Sequence, residues 1–89
     1  MKGIITVLGK DQVGIIAKVC TYLSSNSMNI LDISQTIVQG YFNMMMIVDL
    51  HSSDKRFEDA VSELSALGEE IGVHIKLQHE DIFNAMHRI

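Results

Sequence analysis

The spacing of hydrophobic residues changes several times along the chain, and each change marks a new structural element. Lys2 to Leu8 is rich in β-branched side chains and predicts a strand, and Gly9 to Gln12 predict a loop after it. From Val13 onward apolar residues recur at steps of three and four, which predicts an amphipathic helix ending in the polar residues 24–27. The predicted apolar positions of this helix are Val13, Ile16, Ala17, Val19, Cys20 and Leu23.

The middle of the chain predicts a β-hairpin. Residues 29–38 alternate between apolar and polar side chains, and Tyr41 to Leu50 form a long apolar strand after the two-residue turn Gln39-Gly40. Neighbouring side chains of a strand point to opposite faces of the sheet, which divides the residues of this strand into two sets. Helices packed on one face can cover only one of these sets. The first set is Phe42, Met44, Met46, Val48 and Leu50, and the second is Tyr41, Asn43, Met45 and Ile47.

The last third predicts a second helix, a strand and a short final helix. Residues 57–71 carry the clearest helical stripe, with Ser53 or Asp54 as the N-cap and Gly72 as the stop. Residues 73–78 alternate as a half-buried strand does. From Asp81 to Ile89, four apolar residues fall on one side of a helix: Ile82, Phe83, Met86 and Ile89.

The order of these elements is β-α-β-β-α-β followed by a terminal helix. Two split β-α-β units with right-handed crossovers predict a ferredoxin-like α+β sandwich, a four-stranded antiparallel sheet with two helices on one face. We find no linker composition, so we expect one domain over residues 1–89, with its core at 1–79 and a C-terminal helical extension at 80–89. The uncovered apolar side chains Met45 and Ile47 predict a homodimer, unless the terminal helix covers them.

Composition narrows the classes of function. The chain has 89 residues, 47% of them hydrophobic, which is enough for a small globular core. A net charge of −4 with seven scattered lysines and arginines disfavours direct nucleic-acid binding. No apolar run reaches the roughly 18 residues of a membrane span and no signal peptide is evident, so we expect no membrane partner and a cytoplasmic location. A single cysteine excludes an intramolecular disulfide, and we expect no metal and no cofactor.

The loop between the first strand and the first helix is the best candidate for a ligand site. A helix N-terminus offers unpaired N–H groups and partial positive charge, which suit a carboxylate. Asp11 would repel that carboxylate unless the ligand is a zwitterion, whose ammonium could face Asp11 or Asp32 of a neighbouring strand or subunit. The alternative is that Asp11 is only the N-cap of the helix.

Several segments of the chain resemble the ACT domain family: the loop Gly-Lys-Asp-Gln-Val-Gly-Ile at 9–15, the segment Met-Asn-Ile-Leu-Asp-Ile at 28–33, and the methionine-rich third strand. The chain is most similar to small stand-alone bacterial ACT proteins and to the halves of the glycine-cleavage repressor. The resemblance implies a regulatory module that binds an amino acid or similar effector between two copies. The ligand contacts it implies are Lys10, Asp11, Gln12, Val13, Gly14 and Ile15, with Asn29, Ile30 and Leu31 often coming from the partner chain.

The chain departs from the family pattern in two ways. It carries neither the enzyme nor the DNA-binding domain to which most ACT domains are attached, so we expect it to regulate a separate protein. Its first loop also lacks the histidine or asparagine that would specify a particular amino acid. A structural dimerisation module without a ligand is the main alternative function.

An enzyme is the third hypothesis. Acylphosphatases share this fold, but their phosphate loop needs an arginine, and the arginines here, Arg56 and Arg88, fall in predicted helices. The four histidines show no i, i+4 pair for a metal. We therefore expect a protein that is not an enzyme.

Overall fold

The computed structural model describes residues 1–81. In chain order the elements are β1 (Lys2–Lys10), α1 (Ile15–Ser25), β2 (Asn29–Val38), β3 (Tyr41–Asp49), α2 (Phe57–Ile71) and β4 (Val73–His79). From residue 82 onward, the predicted terminal helix and C-terminal extension lie outside the described residues.

The four strands form one antiparallel sheet in the order β2-β3-β1-β4. Central strand β1 pairs with both β3 and β4, so that Val7 lies between Met44 and Ile75. Strands β2 and β4 are the two edges. The ferredoxin-like α+β sandwich predicted from the sequence is therefore confirmed.

The hydrophobic core lies between the sheet and the two helices. Alternate residues of β3 and β4 are buried, together with Ile5 and Val7 of β1, and they meet one apolar stripe from each helix. We call this side of the sheet the helix face and the other side the open face. The stripe of α1 is Ile15, Val19 and Leu23, and that of α2 is Ala60, Leu64 and Gly68. The predicted stripe of α1 was therefore partly wrong, because Val13 is fully exposed and Ile16 lies at the surface.

Two boundaries near the first loop differ from the prediction. Strand β1 continues to Lys10, because Gly9 pairs with both Phe42 and Val73. A Cβ atom on Gly9 would lie 2.7 Å from Cγ1 of Val73, so a glycine is needed for this close approach. Helix α1 begins at Ile15 rather than Val13.

In the second half of the chain, the predicted hairpin turn and the predicted end of α2 are confirmed, whereas the predicted N-cap is not. Gln39 (φ 51°) and Gly40 (φ 81°) both have positive φ, as a type I′ hairpin turn requires. Gly72 (φ 81°) ends α2 as predicted. The N-cap of α2 is Arg56 rather than Ser53 or Asp54.

Within residues 1–81, two parts of the sheet expose many of their side chains. Nine of the ten residues of edge strand β2 are exposed. The open face exposes apolar side chains from three strands, namely Leu8, Val38, Tyr41 and Met45. Within residues 1–81, neither helix is long and apolar enough to span a membrane.

Candidate functional site

Helix α1 begins with its first N–H groups unsatisfied within the helix. Its N-cap is Gly14, in the left-handed region at φ 94°, and no side chain caps it. The first backbone bond of the helix runs from the N–H of Lys18 to the carbonyl of Gly14 at 3.0 Å. The N–H groups of Ile15, Ile16 and Ala17 therefore precede any possible intrahelical acceptor.

No acidic residue within the first turn compensates the partial positive charge at this helix start. Helix α2 carries Glu58 and Asp59 in its first turn, whereas the first turn of α1 has no acidic residue. An anion near the start of α1 would therefore be stabilised by the partial positive charge of the helix dipole. The alternative that Asp11 caps the helix was wrong, because the N-cap position belongs to Gly14.

The loop before α1 is fixed at two points. The backbone N–H of Asp11 donates to the carbonyl of Gly40 in the hairpin turn, at 2.8 Å. The side-chain amide of Gln12 donates to the carbonyl of Ile71 in the last turn of α2. The loop thus connects the β2–β3 hairpin to the end of α2.

A cavity of about 250 Å³ opens between this helix start and edge strand β2. Loop residues, the first turn of α1 and the helix face of the hairpin all contribute to it. Its volume is below the roughly 300 Å³ at which pockets for drug-sized ligands begin, so it suits a small metabolite. The lining residues are Asp11, Gln12, Gly14, Ile15, Ile16, Ala17, Gln35, Ile37 and Phe42.

Other depressions on the described surface have a different chemistry. One of them, of about 350 Å³, is a shallow groove between the helices, lined by Ala17, Lys18, Thr21, Tyr22 and Leu67. Another, of about 290 Å³, lies beside polar residues at the end of α1. The first includes Ala17 but neither Ile15 nor Ile16, and the second includes no residue from the first turn of a helix, so neither offers a row of free N–H groups.

The structure brings together four of the residues predicted for the site. Asp11, Gln12, Gly14 and Ile15 line the cavity. Lys10 is exposed at the end of β1, in the residue set that faces the open side of the sheet, and it does not line the cavity. Val13 is fully exposed and also lies outside the lining.

The other three predicted residues lie far from the loop of the same chain. Asn29 is level with Asp49 in the sheet, whereas Lys10 is level with Tyr41, eight residues along β3 (49 − 41 = 8). At about 3.3 Å per residue these two ends of the sheet are roughly 26 Å apart. Asn29, Ile30 and Leu31 therefore cannot contact a ligand held by the loop of their own chain.

Sequence reasoning missed the wall of the cavity. Gln35, Ile37 and Phe42 come from the hairpin, and Ile16 and Ala17 from the outer side of α1. The alternation of β3 already placed Phe42 on one face. What the sequence did not show is that α1 leaves this part of the hairpin uncovered.

Asp32, the second carboxylate considered for an ammonium group, lies on the other side of the sheet. It pairs with Ile47 on the open face, and its carboxylate accepts a hydrogen bond from the N–H of Ile33 at 2.9 Å. Asp11 is therefore the carboxylate at the cavity. Within residues 1–81, no group of three or more histidine, cysteine or acidic side chains is arranged to hold a metal ion.

The fold and this site can be compared with known proteins. The family model described as ACT domain matches residues 3–78, nearly the whole of the sheet and both helices. The chain belongs to the ACT domain family. A UPF0237 protein of Bifidobacterium longum is 62% identical to this ACT domain over 99% of the chain and 98% of its own length.

Solved structures agree with this assignment. An ACT domain protein from Streptococcus pneumoniae superposes with a TM-score of 0.83 and 41% identity, covering 93% of both chains. A protein assigned as a glycine cleavage system transcriptional repressor gives a TM-score of 0.75 at 20% identity, over 89% of this chain and 47% of that one. At that identity the likeness concerns the fold alone. ACT domains are typically regulatory modules that bind ligands.

Proposed function

We propose that this ACT domain binds an amino acid or a similar small zwitterion at a homodimer interface, and acts in the cytoplasm as a non-catalytic regulator of a separate protein. One observation carries the proposal. The start of α1 has no side-chain cap and no acidic residue in its first turn, and it opens into a small cavity beside an unpaired edge strand. We also propose that the domain acts without a cofactor.

The two charges of the ligand would have separate partners. Its carboxylate would accept hydrogen bonds from the N–H groups at Ile15 and Ile16, where the helix dipole favours negative charge. Its ammonium would face Asp11, which lines the same cavity. Gln12 already donates to Ile71, so its role would be to hold the loop rather than to contact the ligand.

A second copy would complete the site. Strand β2 is exposed along its length and presents backbone N–H and C=O groups to another strand. If two β2 strands pair antiparallel about a two-fold axis near Ile33, residues equally far from the axis face each other. Because β2 has a β-bulge between Ile30 and Asp32, the match is one of segments, and the partner's residues 29–31 then lie opposite residues 35–37. This pairing would bring the predicted segment 29–31 to the cavity that its own chain cannot reach.

Regulation would follow from this geometry as a shift of population. A ligand that contacts both copies binds the paired dimer better than separated or differently packed chains, and it stabilises that dimer by its differential affinity. The regulated protein would respond by binding one of these two states more tightly than the other.

Thermal unfolding in the presence of each of the twenty amino acids tests the proposal. A ligand present at a hundred times its dissociation constant adds about 2.7 kcal/mol to the free energy of unfolding, which gives a clear rise in midpoint. A rise with at least one amino acid is the expected result. No rise with any of them would favour the alternative, a dimerisation module without a ligand.

A pair of glycine variants localises the effect. Gly14 and Gly40 both have positive φ, and an added Cβ would meet no atom within 4 Å at either position. The strain of Gly14→Ala and Gly40→Ala should thus be similar, about 1–2 kcal/mol each. Only Gly14→Ala places a methyl group at the cavity, so it alone should abolish the ligand shift, with circular dichroism confirming that both variants fold.

A further inference from the structure

The cavity beside α1 separates its polar groups from its apolar ones. The free N–H groups and Asp11 belong to the loop and the helix start. The remainder of the wall is formed by the side chains of Ile16, Ala17, Ile37 and Phe42, with Gln35 as the other polar side chain. Polar recognition is therefore available for the backbone end of an amino acid, and apolar contact for its side chain.

Part of this apolar wall is in contact with water. The side chain of Ile37 is 59% exposed and that of Ile16 is 37% exposed. Phe42 behind them is buried. Covering these two isoleucines with an apolar group would remove their surface from water, which is favourable.

The wall offers no partner for a charged side chain. Asp11 is the one ionisable residue among the lining residues, and the ammonium of the ligand requires it. An acidic ligand side chain would be repelled by Asp11 and desolvated without a counter-charge. A lysine or arginine side chain would compete with the α-ammonium for the same carboxylate, and its length would suit the cavity poorly.

From these observations we propose that the effector is an amino acid with an uncharged aliphatic side chain, of the valine, leucine, isoleucine or methionine class. This inference rests on the proposed function, because it names the class of ligand for the same site. Each methylene group that becomes buried should improve affinity about fourfold. Valine, leucine and isoleucine should therefore bind at least tenfold more tightly than alanine.

Isothermal titration calorimetry of the full chain tests this inference with leucine, valine, alanine, serine, aspartate and lysine. The expected order places leucine and valine first, alanine and serine well below them, and aspartate and lysine without measurable binding. 4-Methylpentanoate, which lacks the ammonium, and 3-methylbutylamine, which lacks the carboxylate, should each bind at least tenfold more weakly than leucine.

A matched pair of variants checks the wall itself. Ile37→Ala removes a side chain that lines the cavity, while Val38→Ala removes its neighbour, which belongs to the open face and is 63% exposed. Ile37→Ala should weaken leucine binding about tenfold and alanine binding less, whereas Val38→Ala should change neither. Equal effects of the two variants would overturn the assignment of this wall.

The two proposals fail in different ways. Tightest binding by aspartate, lysine or serine, abolished by Gly14→Ala, would overturn the aliphatic class and leave the amino-acid site standing. No binding by any amino acid would overturn both.

Discussion

Gln12 and Ile71 are 59 residues apart in sequence, yet the side-chain amide of Gln12 donates a hydrogen bond to the backbone carbonyl of Ile71. This bond satisfies one of the last carbonyls of α2, which have no partner within the helix. It also fixes the loop from which Asp11 lines the cavity. The position of the loop and the end of α2 are therefore coupled through one side chain.

Replacing Gln12 should destabilise the fold modestly. Gln12→Ala removes the donor to Ile71, and we expect a loss of about 0.5–1.5 kcal/mol in the free energy of unfolding, measured by urea titration. Gln12→Glu preserves the size of the side chain but places a carboxylate at the negative end of the helix dipole at neutral pH. The glutamate variant should thus be no more stable than the alanine variant. Wild-type stability in Gln12→Glu would show that the bond contributes nothing.

Gly68 should not tolerate a methyl group, although alanine normally stabilises a helix relative to glycine by roughly 0.5–1 kcal/mol. A Cβ atom at Gly68 would lie 2.6 Å from the carbonyl oxygen of Val73 and 3.1 Å from the backbone nitrogen of Ile75. Helix α2 and strand β4 would have to move apart, so Gly68→Ala should cost about 1–3 kcal/mol.

The control for this prediction lies in the same helix. Ala66 is exposed, so Ala66→Gly should lower stability by about 1 kcal/mol through helix propensity alone. Chemical denaturation of both variants gives the comparison. A Gly68→Ala protein more stable than wild type would mean that α2 and β4 are not packed this closely.

The features predicted well from the sequence are those fixed by neighbouring residues. The period-two alternation of residues 29–38 predicted β2 with both ends correct, because the side chains of a strand alternate between the two faces of the sheet even at its edge. The turn at Gln39-Gly40 and the stop at Gly72 depend on positive φ angles that local residue types favour. The resemblance to ACT domains rested on such local signals.

The first residue of α1 could not be predicted from the spacing of apolar residues. Val13 fits the three- and four-residue pattern, yet it lies outside the helix and is fully exposed. The helix begins only after Gly14 adopts φ 94°, because bonds from the loop to Gly40 and Ile71 fix the preceding residues. Those partners are remote in sequence.

The sequence predicted the loop of the candidate site but not the opposite wall, because the wall is formed by residues remote from the loop in sequence. The glycines of the loop and its position before a predicted helix indicated the site from the local sequence alone. Ile37 belongs to the wall only because α1 stops short of covering the hairpin, and its alternation alone equally predicts burial in the core. Asn29 entered the prediction through the family resemblance, and it lies at the far end of the sheet from the loop.

A cluster between the two helices should make stability depend on pH. The hydroxyl of Tyr22 donates to Glu63 at 2.9 Å, and the Lys55 ammonium contacts the same carboxylate oxygen. The bond from Lys55, followed by that from Tyr22, lowers the pKa of Glu63 below its ordinary value of 4.5. Because the folded pKa is depressed, this contribution is present above pH 4.5 and is lost as pH falls through the folded pKa.

The variant Glu63→Gln tests this dependence. At pH 7 it should be less stable than wild type, and the difference should shrink as the pH falls below 4.5. Glu69→Gln, which removes the same charge from the same helix outside the cluster of Tyr22, Lys55 and Glu63, is the matched control. Urea midpoints measured between pH 3 and 7 decide the matter, and a difference that stays constant with pH would contradict the assignment.

The opposite dependence is expected for Tyr22 at high pH. Burial, followed by the hydrogen bond with Glu63, raises the pKa of Tyr22 above its ordinary value of 10.0. The unfolded chain then loses its phenolic proton before the folded chain does, so wild-type stability should fall as pH rises above 10.0. Tyr22→Phe should lack this loss of stability when the urea midpoints of both proteins are measured as the pH rises above 10.0. A parallel decline in both proteins would contradict the prediction.

The exposed edge strand gives a direct test of how two copies meet. If β2 strands pair about an axis near Ile33, Ile33→Lys places two lysines opposite each other across the axis, and like charges in that position destabilise a strand pair. Sedimentation should then change from a species of twice 10.0 kDa to one of 10.0 kDa. The ligand shift should disappear with it, because the partner's segment 29–31 then leaves the cavity.

Leu8→Lys is the matched variant for the other possible interface. Leu8 is 53% exposed on the open face of central strand β1, away from the edge, so the charge it gains should leave edge pairing intact. Dissociation by Leu8→Lys but not by Ile33→Lys would place the contact between copies on the open face, and the segment 29–31 would then have no route to the loop of the other copy. A wild-type chain that sediments at 10.0 kDa at high concentration would remove the dimer altogether.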